Sequence, residues 1–301
     1  MRIATFNVYW FGTTRPGIVD RTPDDDDLVA RVLAGLDADV LALQEICDLP
    51  RLERVLRRAA TFSGRDRHLR VGDSFVTSAR PSELADTANQ KVVCAWDPAT
   101  VEPLAWGALG GGPALRPPLL ATFRDRRDGA ALTLAALHLK SGFMGAPLTD
   151  ESAALRLREA AYLARWLSGE NVGPTALAQA PLGPLVALGD MNARRDDPTL
   201  EPLRRLPGWS WPVPTLPAED PWTTFLDREV IDHIGASPAA RFVGTPYAYA
   251  FDRDPALGGR AWFHAVEDFS AQRARGFPRA PVENLYRVSD HRPVVAEIEP
   301  V

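Results

Sequence analysis

Apolar residues run through this chain in short stretches of two kinds. Arg2-Ile3-Ala4-Thr5-Phe6-Asn7-Val8 alternates well enough for an opening strand. Val40 to Leu43, Lys91 to Trp96, Leu119 to Phe123, Leu132 to His138, Leu185 to Leu188, Val230 to Ile234 and Val294 to Ile298 read as further strands, with a turn at Arg126-Arg127-Asp128-Gly129 between the fourth and fifth of these eight. Leu28, Val29, Val32, Leu33 and Leu36 instead recur at helical spacing, and a basic helix follows over Leu52 to Ala60. Glu151 to Leu167 predicts a long amphipathic helix with Arg156, Arg158 and Arg165 towards solvent. Residues 63–90, 207–222 and 252–287 are polar or loop-like, the second carrying Trp209, Trp211 and Trp222. No linker divides the pattern, and strands with helices between them recur in both halves. A single α/β domain over residues 1–301 is the expectation.

One polar run needs sorting first. Thr22-Pro23 precedes four consecutive aspartates, Asp24 to Asp27, which invite a metal-site reading. Thr22 as N-cap, Pro23 at the first position and acids in the first turn explain them better, because the helix dipole favours negative charge there.

The strand ends are less easily explained. Asn7, Glu45, His138, Lys140, Asp190, Asn192, Asp232, Asp290 and His291 lie at or just past apolar strands. Any one could be an ordinary return of polarity. Together they are costly, since buried carboxylates demand a partner or a cation. Asp190 and Asn192 are two apart, as are His138 and Lys140, so in extended chain each pair faces one way. Glu45 and Asp190 tip two comparable strands, which hints at an internal duplication. The set offers hard oxygens, imidazoles and an ammonium. It has no thiolate cluster, HExxH or CxxC, so zinc is disfavoured and Mg²⁺ or Mn²⁺ is the expected cofactor. Ser289 precedes Asp290 without a GxSxG elbow, which argues against a serine hydrolase.

Composition narrows the classes further. The net charge of −5 argues against a protein that coats long nucleic acids, though not against an enzyme with a local basic groove. Of 34 Lys and Arg residues only Lys91 and Lys140 are lysine, so both are candidates for a compact ammonium that meets phosphate. No apolar run reaches the roughly 20 residues of a membrane helix, so stable membrane insertion is not expected. Met1 leads within two residues into a strand, and Cys47 and Cys94 form no disulfide framework. Free thiols and a cytoplasmic location are expected, with Cys47 a small apolar filler.

The pieces Ala4-Thr5-Phe6-Asn7, Leu43-Gln44-Glu45, Leu137-His138-Leu139-Lys140-Ser141, Gly189-Asp190-Met191-Asn192, Ile231-Asp232-His233-Ile234 and Ser289-Asp290-His291-Arg292-Pro293 occur in an order that resembles the endonuclease/exonuclease/phosphatase superfamily. The likeness is nearest to bacterial members with the His-Leu-Lys-Ser piece. It implies a four-layer α/β/β/α sandwich of two packed mixed β-sheets flanked by helices, with the active site at one end. It also implies a monomeric, metal-dependent phosphodiesterase, a nuclease on DNA or RNA, working by in-line attack of water. The residue roles carry over by position. Glu45 binds the metal, with Asn7 as ligand or as support for the carboxylate, and Asp290 is a second ligand or an acid beside Glu45. Asp190 deprotonates the water, and Asn192 holds that water or a phosphate oxygen. His291 donates to a non-bridging oxygen with Asp232 fixing its tautomer. His138 contacts the phosphate or protonates the leaving group, with Gln90 standing where the deoxyribonuclease branch has a carboxylate. Lys140 and Lys91 bind phosphate. His233 points away from Asp232 and is structural; His68 and His264 have no role. The alternative substrate is a small or lipid phosphate ester of the inositol phosphate or sphingomyelin type. A scaffold that lost its chemistry would lack competent residues at these positions, and none is missing.

Overall fold

The computed structural model describes residues 1–13, 21–71, 90–110, 112–114, 116–141, 150–170, 172, 183–218, 221–225, 228–257 and 287–301. His264 and most of the polar stretches 63–90 and 252–287 lie outside them. Two mixed sheets pack face to face with helices on both outer faces. The elements run β1 (Arg2–Phe11), α1 (Pro23–Gly35), β2 (Val40–Ile46), α2 (Leu49–Ser63), β3 (His68–Val71), β4 (Lys91–Trp96), β5 (Val101–Ala108), β6 (Leu119–Asp125) and β7 (Ala131–His138). They continue with α3 (Asp150–Leu167), β8 (Leu185–Asp190), α4 (Glu201–Arg204), β9 (Asp232–Ala236), β10 (Ala240–Phe242), β11 (Tyr247–Ala248) and β12 (Val294–Pro300).

One sheet has the order β10-β12-β1-β2-β4-β3 with β11 beside β12, and the other β5-β6-β7-β8-β9. The first strand therefore pairs with the last. Each strand of the centre is buried on both faces, which is why the apolar runs alternate so little. Ile3, Val40 and Ala42 face inward and meet Phe123, Leu134, Val186 and Ile234 between the sheets. Phe6, Leu41 and Leu43 face outward onto Leu28, Leu33, Leu52 and Leu56 of α1 and α2. Leu120, Leu137 and Ala187 face outward onto Ala160, Leu163 and Trp166 of α3. Each fully buried large side chain contributes about 1.5–3 kcal/mol, so these three seams hold the layers together.

Helix signals behave as expected. Thr22 and Asp25 form a reciprocal capping box with Pro23 in the first turn. Two of the other aspartates go to arginines: Asp26 to Arg51 at 2.8 Å and Asp27 to Arg58 at 2.7 Å. The basic helix is longer than its apolar spacing shows, because Asp48 caps it and Pro50 starts it. Strands β3 and β5 were not anticipated. In β5, Pro103 precedes a register shift, which an edge strand tolerates. The strand expected from Val230 begins at Asp232 instead. Arg156 corrects another expectation: it is 1% exposed, with its guanidinium turned into the protein, whereas Arg158 and Arg165 face solvent.

The topology puts the polar strand ends together. β1 and β2 are parallel, and β7 and β8 are parallel. Asn7 and Glu45 thus leave one sheet at the same edge, and His138 and Asp190 leave the other as direct partners. β9 and β12 run antiparallel to β8 and β1, so Asp232 and the residues just before Val294 lie at that same edge. Each sheet contains one such parallel pair.

Candidate active site

Backbone distortion aims the acids. β1 and β2 both break register where they reach the edge, and Tyr9, Trp10 and Glu45 have φ of 47°, 48° and 60°. Left-handed non-glycine residues cost about 1–2 kcal/mol each, and such strain clusters where function needs it. The bulge points Glu45 inward, and the Trp10 amide donates to its Oε2 at 2.9 Å. On the other sheet Gly189 has φ 152°, and a Cβ there would collide with the Leu137 main chain. Only glycine lets β8 lie this close to β7 immediately before Asp190. That is why an apolar run ends on Gly-Asp.

One amide joins the two sheets. Asn7 Nδ2 donates to Glu45 Oε1 at 3.1 Å and to Asp190 Oδ2 at 2.9 Å. Its Oδ1 accepts from the Tyr9 amide at 2.9 Å. Two carboxylates require a donor between them, which fixes the amide's orientation. Asp190 Oδ1 accepts from the Asn192 amide at 2.7 Å. Asn192 is not extended, as its spacing suggested: it has φ 51°, and its Nδ2 donates to Leu139 O at 3.0 Å.

The imidazoles flank the acids. His291 Nδ1 bonds Asp232 Oδ2 at 2.9 Å, and its Nε2 lies 3.8 Å from Asp190 Oδ2 and 3.8 Å from Asp290 Oδ1. His138 Nε2 lies 3.6 Å from Asp190 Oδ2 and 3.7 Å from Glu45 Oε1. Its Nδ1 is buried without a hydrogen-bond partner among the described residues. Gln90 does not reach it, because Gln90 Oε1 accepts from Arg116 Nη1 at 2.7 Å. Lys91 Nζ donates to Cys47 O at 3.3 Å beneath the site, and Lys140 is half-buried at its edge. His233 binds Ala193 O at 2.9 Å on the far face of β9, as expected of a structural residue. Trp209 and Trp211 stack 5.8 Å apart against the α3 seam. Cys47 and Cys94 are buried, and burial pushes each thiol up to about 12.

Two supporting residues had no role assigned from the sequence, Ser289 within its motif and Thr223 outside any. Ser289 Oγ donates to Asn7 O at 2.6 Å and accepts from the His291 amide at 3.0 Å, so it splices β1 to the His291 turn. Thr223 Oγ1 accepts the Ile231 amide at 3.1 Å, and Thr223 O accepts the Arg292 amide at 2.6 Å. These clip Asp232 to His291.

Electrostatics separates the groups. Burial, with the nearby Asp232 carboxylate, pushes Asp190 up to about 6, against the pull of His291 and Asn7. Burial, then Glu45 and Asp190, pushes Asp290 up to about 7, against the pull of His291. Burial alone would lower His291, but Asp232, Asp290 and Asp190 hold it well above the usual histidine value. Burial and then the Arg116, His291 and Lys140 charges keep His138 well below it.

The donor set fits a hard divalent cation. Asp290 Oδ1 is buried and lacks a hydrogen-bond partner among the described residues, with His291 Nε2 3.8 Å away and the Glu45 and Asp190 carboxylates acting on it from nearby. Among the described residues no group of three or more His, Cys, Asp or Glu side chains is placed to hold a metal ion. Mg²⁺ needs no such group, since it keeps several waters and takes one or two carboxylates.

Residues 4–291 match the sequence model of the Endonuclease/Exonuclease/phosphatase family. Among solved structures, the human Nocturnin catalytic domain with bound sulfate anion is 15% identical, with 100% of this chain and 94% of that chain covered at a TM-score of 0.59. The Bacteroides thetaiotaomicron mannosyl-6-phosphatase is 12% identical, with 99% of each chain covered at 0.58. D. rerio TDP2 complexed with single strand DNA product is 13% identical, with 99% and 98% covered at 0.57. No curated protein matches in sequence. At such identities these structures are alike in fold.

Proposed function

The chain belongs to the endonuclease/exonuclease/phosphatase family, whose members are phosphoric ester hydrolases, and we propose that it is a divalent-metal-dependent phosphodiesterase cutting DNA or RNA. The supporting observation is Asp190 Oδ2, which lies 2.9 Å from the Asn7 amide, 3.6 Å from His138 and 3.8 Å from His291. One carboxylate oxygen is thus surrounded by groups suited to a reacting phosphate. Glu45 and Asp290 would hold Mg²⁺ or Mn²⁺, with Asn7 orienting Glu45. When bound, such an ion neutralises a phosphate oxygen and the charge growing on the leaving oxygen.

The remaining work falls to this chain's side chains. Asp190, raised towards neutrality by burial, takes the proton of the attacking water. His291, kept protonated by the neighbouring carboxylates, donates to a non-bridging oxygen. Asp232 accepts from its Nδ1 and so fixes the ring's orientation. Neutral His138 contacts the phosphate, and Lys140 adds charge at the rim. Asn192 holds the Leu139 turn beside the water. The chain acts as one catalytic domain and as a monomer. Among the described residues no helix is long and apolar enough to cross a membrane.

A phosphatase or phosphodiesterase acting on a small ester is the second reading. The net charge of −5 favours it, as does the use of Lys91 on a main-chain carbonyl. The likeness to a mannosyl-6-phosphatase points the same way. A panel of plasmid DNA, single-stranded RNA, sphingomyelin, inositol phosphates and sugar phosphates separates the two. It is run with Mg²⁺, Mn²⁺ or EDTA and with Asp190→Ala as control. Nucleic-acid cleavage that EDTA and Asp190→Ala both abolish is expected. Turnover of small or lipid esters alone would replace the first reading with the second.

A further inference from the structure

Beyond His138 the chain leaves its sheet while still carrying site residues. The Leu139 amide still donates to Asp190 O at 3.0 Å, and past it side chains take over the main-chain bonding. Arg116 Nε donates to His138 O at 3.2 Å and its Nη2 to Leu139 O at 2.9 Å. Its Nη1 reaches Gln90, at the start of β4 in the other sheet, at 2.7 Å. Arg156 of α3 donates through Nη1 to Lys140 O at 3.4 Å and to Asn192 O. Its Nε binds Thr199 Oγ1 at 3.0 Å. The Lys140 amide donates to Glu159 Oε2, one turn along α3, at 2.7 Å. Arg116 and Arg156 are 8% and 1% exposed.

Desolvating a guanidinium is costly, and these two are turned mainly to neutral carbonyls rather than to carboxylates. Among the described residues the one ion pair of Arg156 is a long 3.9 Å approach to Asp197. A cation is not needed to satisfy a carbonyl. A rigid planar fork is needed to hold several carbonyls in one fixed arrangement. Building on the hydrolase reading above, we propose that Arg116 and Arg156 are positioning residues, two buried clamps: Arg116 holds the His138–Leu139 tip, and Arg156 holds the Lys140 and Asn192 ends of the two strand tips together. Neither touches substrate. Arg116 ties the His138 tip to the opposite sheet, and Arg156 ties both tips to the helix layer. A displacement of about 1 Å at the reacting centre costs on the order of 100-fold in rate.

The test compares Arg116→Met, Arg156→Met, Arg116→Lys and Arg156→Lys with wild type on the best substrate of the panel. The Met variants should lose roughly 100-fold in kcat with KM little changed, and millimolar methylguanidinium should restore part of the loss. The Lys variants keep the charge and should fold, yet remain well below wild type, because an ammonium lacks the planar fork. Wild-type kcat in the Lys variants overturns the proposal, as does loss that simply tracks the folded fraction without rescue. If wild type turns over nothing in the panel, the hydrolase reading fails first, and the clamps are tested by amide NMR of Arg156→Met. Shifts concentrated at residues 138–141 and 190–193 support them, and an unchanged spectrum there removes them.

Discussion

Asn7 bridges two acids with one amide, and the pairing of His291 with Asp232 shows how much a single contact decides at this scale. Asp232 Oδ2 holds His291 Nδ1 at 2.9 Å, and its charge opposes the lowering that burial imposes on the imidazole. Replacing Asp232 with Asn removes that charge while nearly preserving shape. The imidazolium should then lose its proton at lower pH, so the alkaline limb of the kcat profile moves down. kcat should also fall by about 10²–10⁴-fold, the usual worth of a placed proton donor. An alkaline limb unmoved in Asp232→Asn would mean that another group titrates there.

At the scale of elements, the site depends on how closely strands approach. Gly189 sits against the Leu137 main chain with φ 152°, whereas Gly129 turns at φ 77° with open space around its missing side chain. Alanine at either position carries backbone strain of about 1–2 kcal/mol, but only at Gly189 does it add a clash of about 1–3 kcal/mol. Urea unfolding should show Gly189→Ala as clearly the more destabilising, with loss of activity because Asp190 follows directly. Equal midpoints for the two variants would refute the close-approach argument. The strands at the centre were legible from their apolar runs, since double burial leaves a continuous signal. β3 and β5 were not, because edge strands carry polar residues and tolerate Pro103. Arg156 was misplaced for a related reason: a long amphipathic side chain on a helix reads as solvent-facing unless its partners are known.

The whole molecule carries two opposed pH responses. Asp25, Asp39 and Asp125 have lowered values in the folded chain: burial opposes this at Asp25 and Asp39, but hydrogen bonds and arginines outweigh it, and at Asp125 the bond from Arg127 leads. A carboxylate lowered on folding stabilises above its unfolded value and loses that contribution as pH falls through the folded one. Stability should therefore drop below about pH 4, less steeply in Asp39→Asn. Asp190 and Asp290 are raised to about 6 and 7 by burial, so the folded chain holds protons that the unfolded chain releases. Their contribution weakens as pH rises from about 4 towards 7. His291, also raised, acts in the same direction, whereas His138 and His233, lowered by burial, act against it. Without divalent cation, Asp290→Asn should flatten the decline of the melting temperature between about pH 4 and 7. Added Mg²⁺ should raise the wild-type melting temperature more at the upper end of that range. An equal Mg²⁺ effect at both ends would mean that no buried acid is discharged on binding.

The sequence by itself determined which residues stand where strands end, and with them the chemistry on offer: acids, amides and imidazoles without thiolates. Those are short-range facts, set by the period of burial along a few residues. Only the tertiary structure decided how they are spent. Asn7 meets Asp190 across 183 positions and His291 meets Asp232 across 59. Such pairings follow from parallel and antiparallel strand order, which no local pattern encodes. The two buried arginines show the same limit: the local pattern places a guanidinium in water by default, and only the carbonyls that packing brings together offset its desolvation.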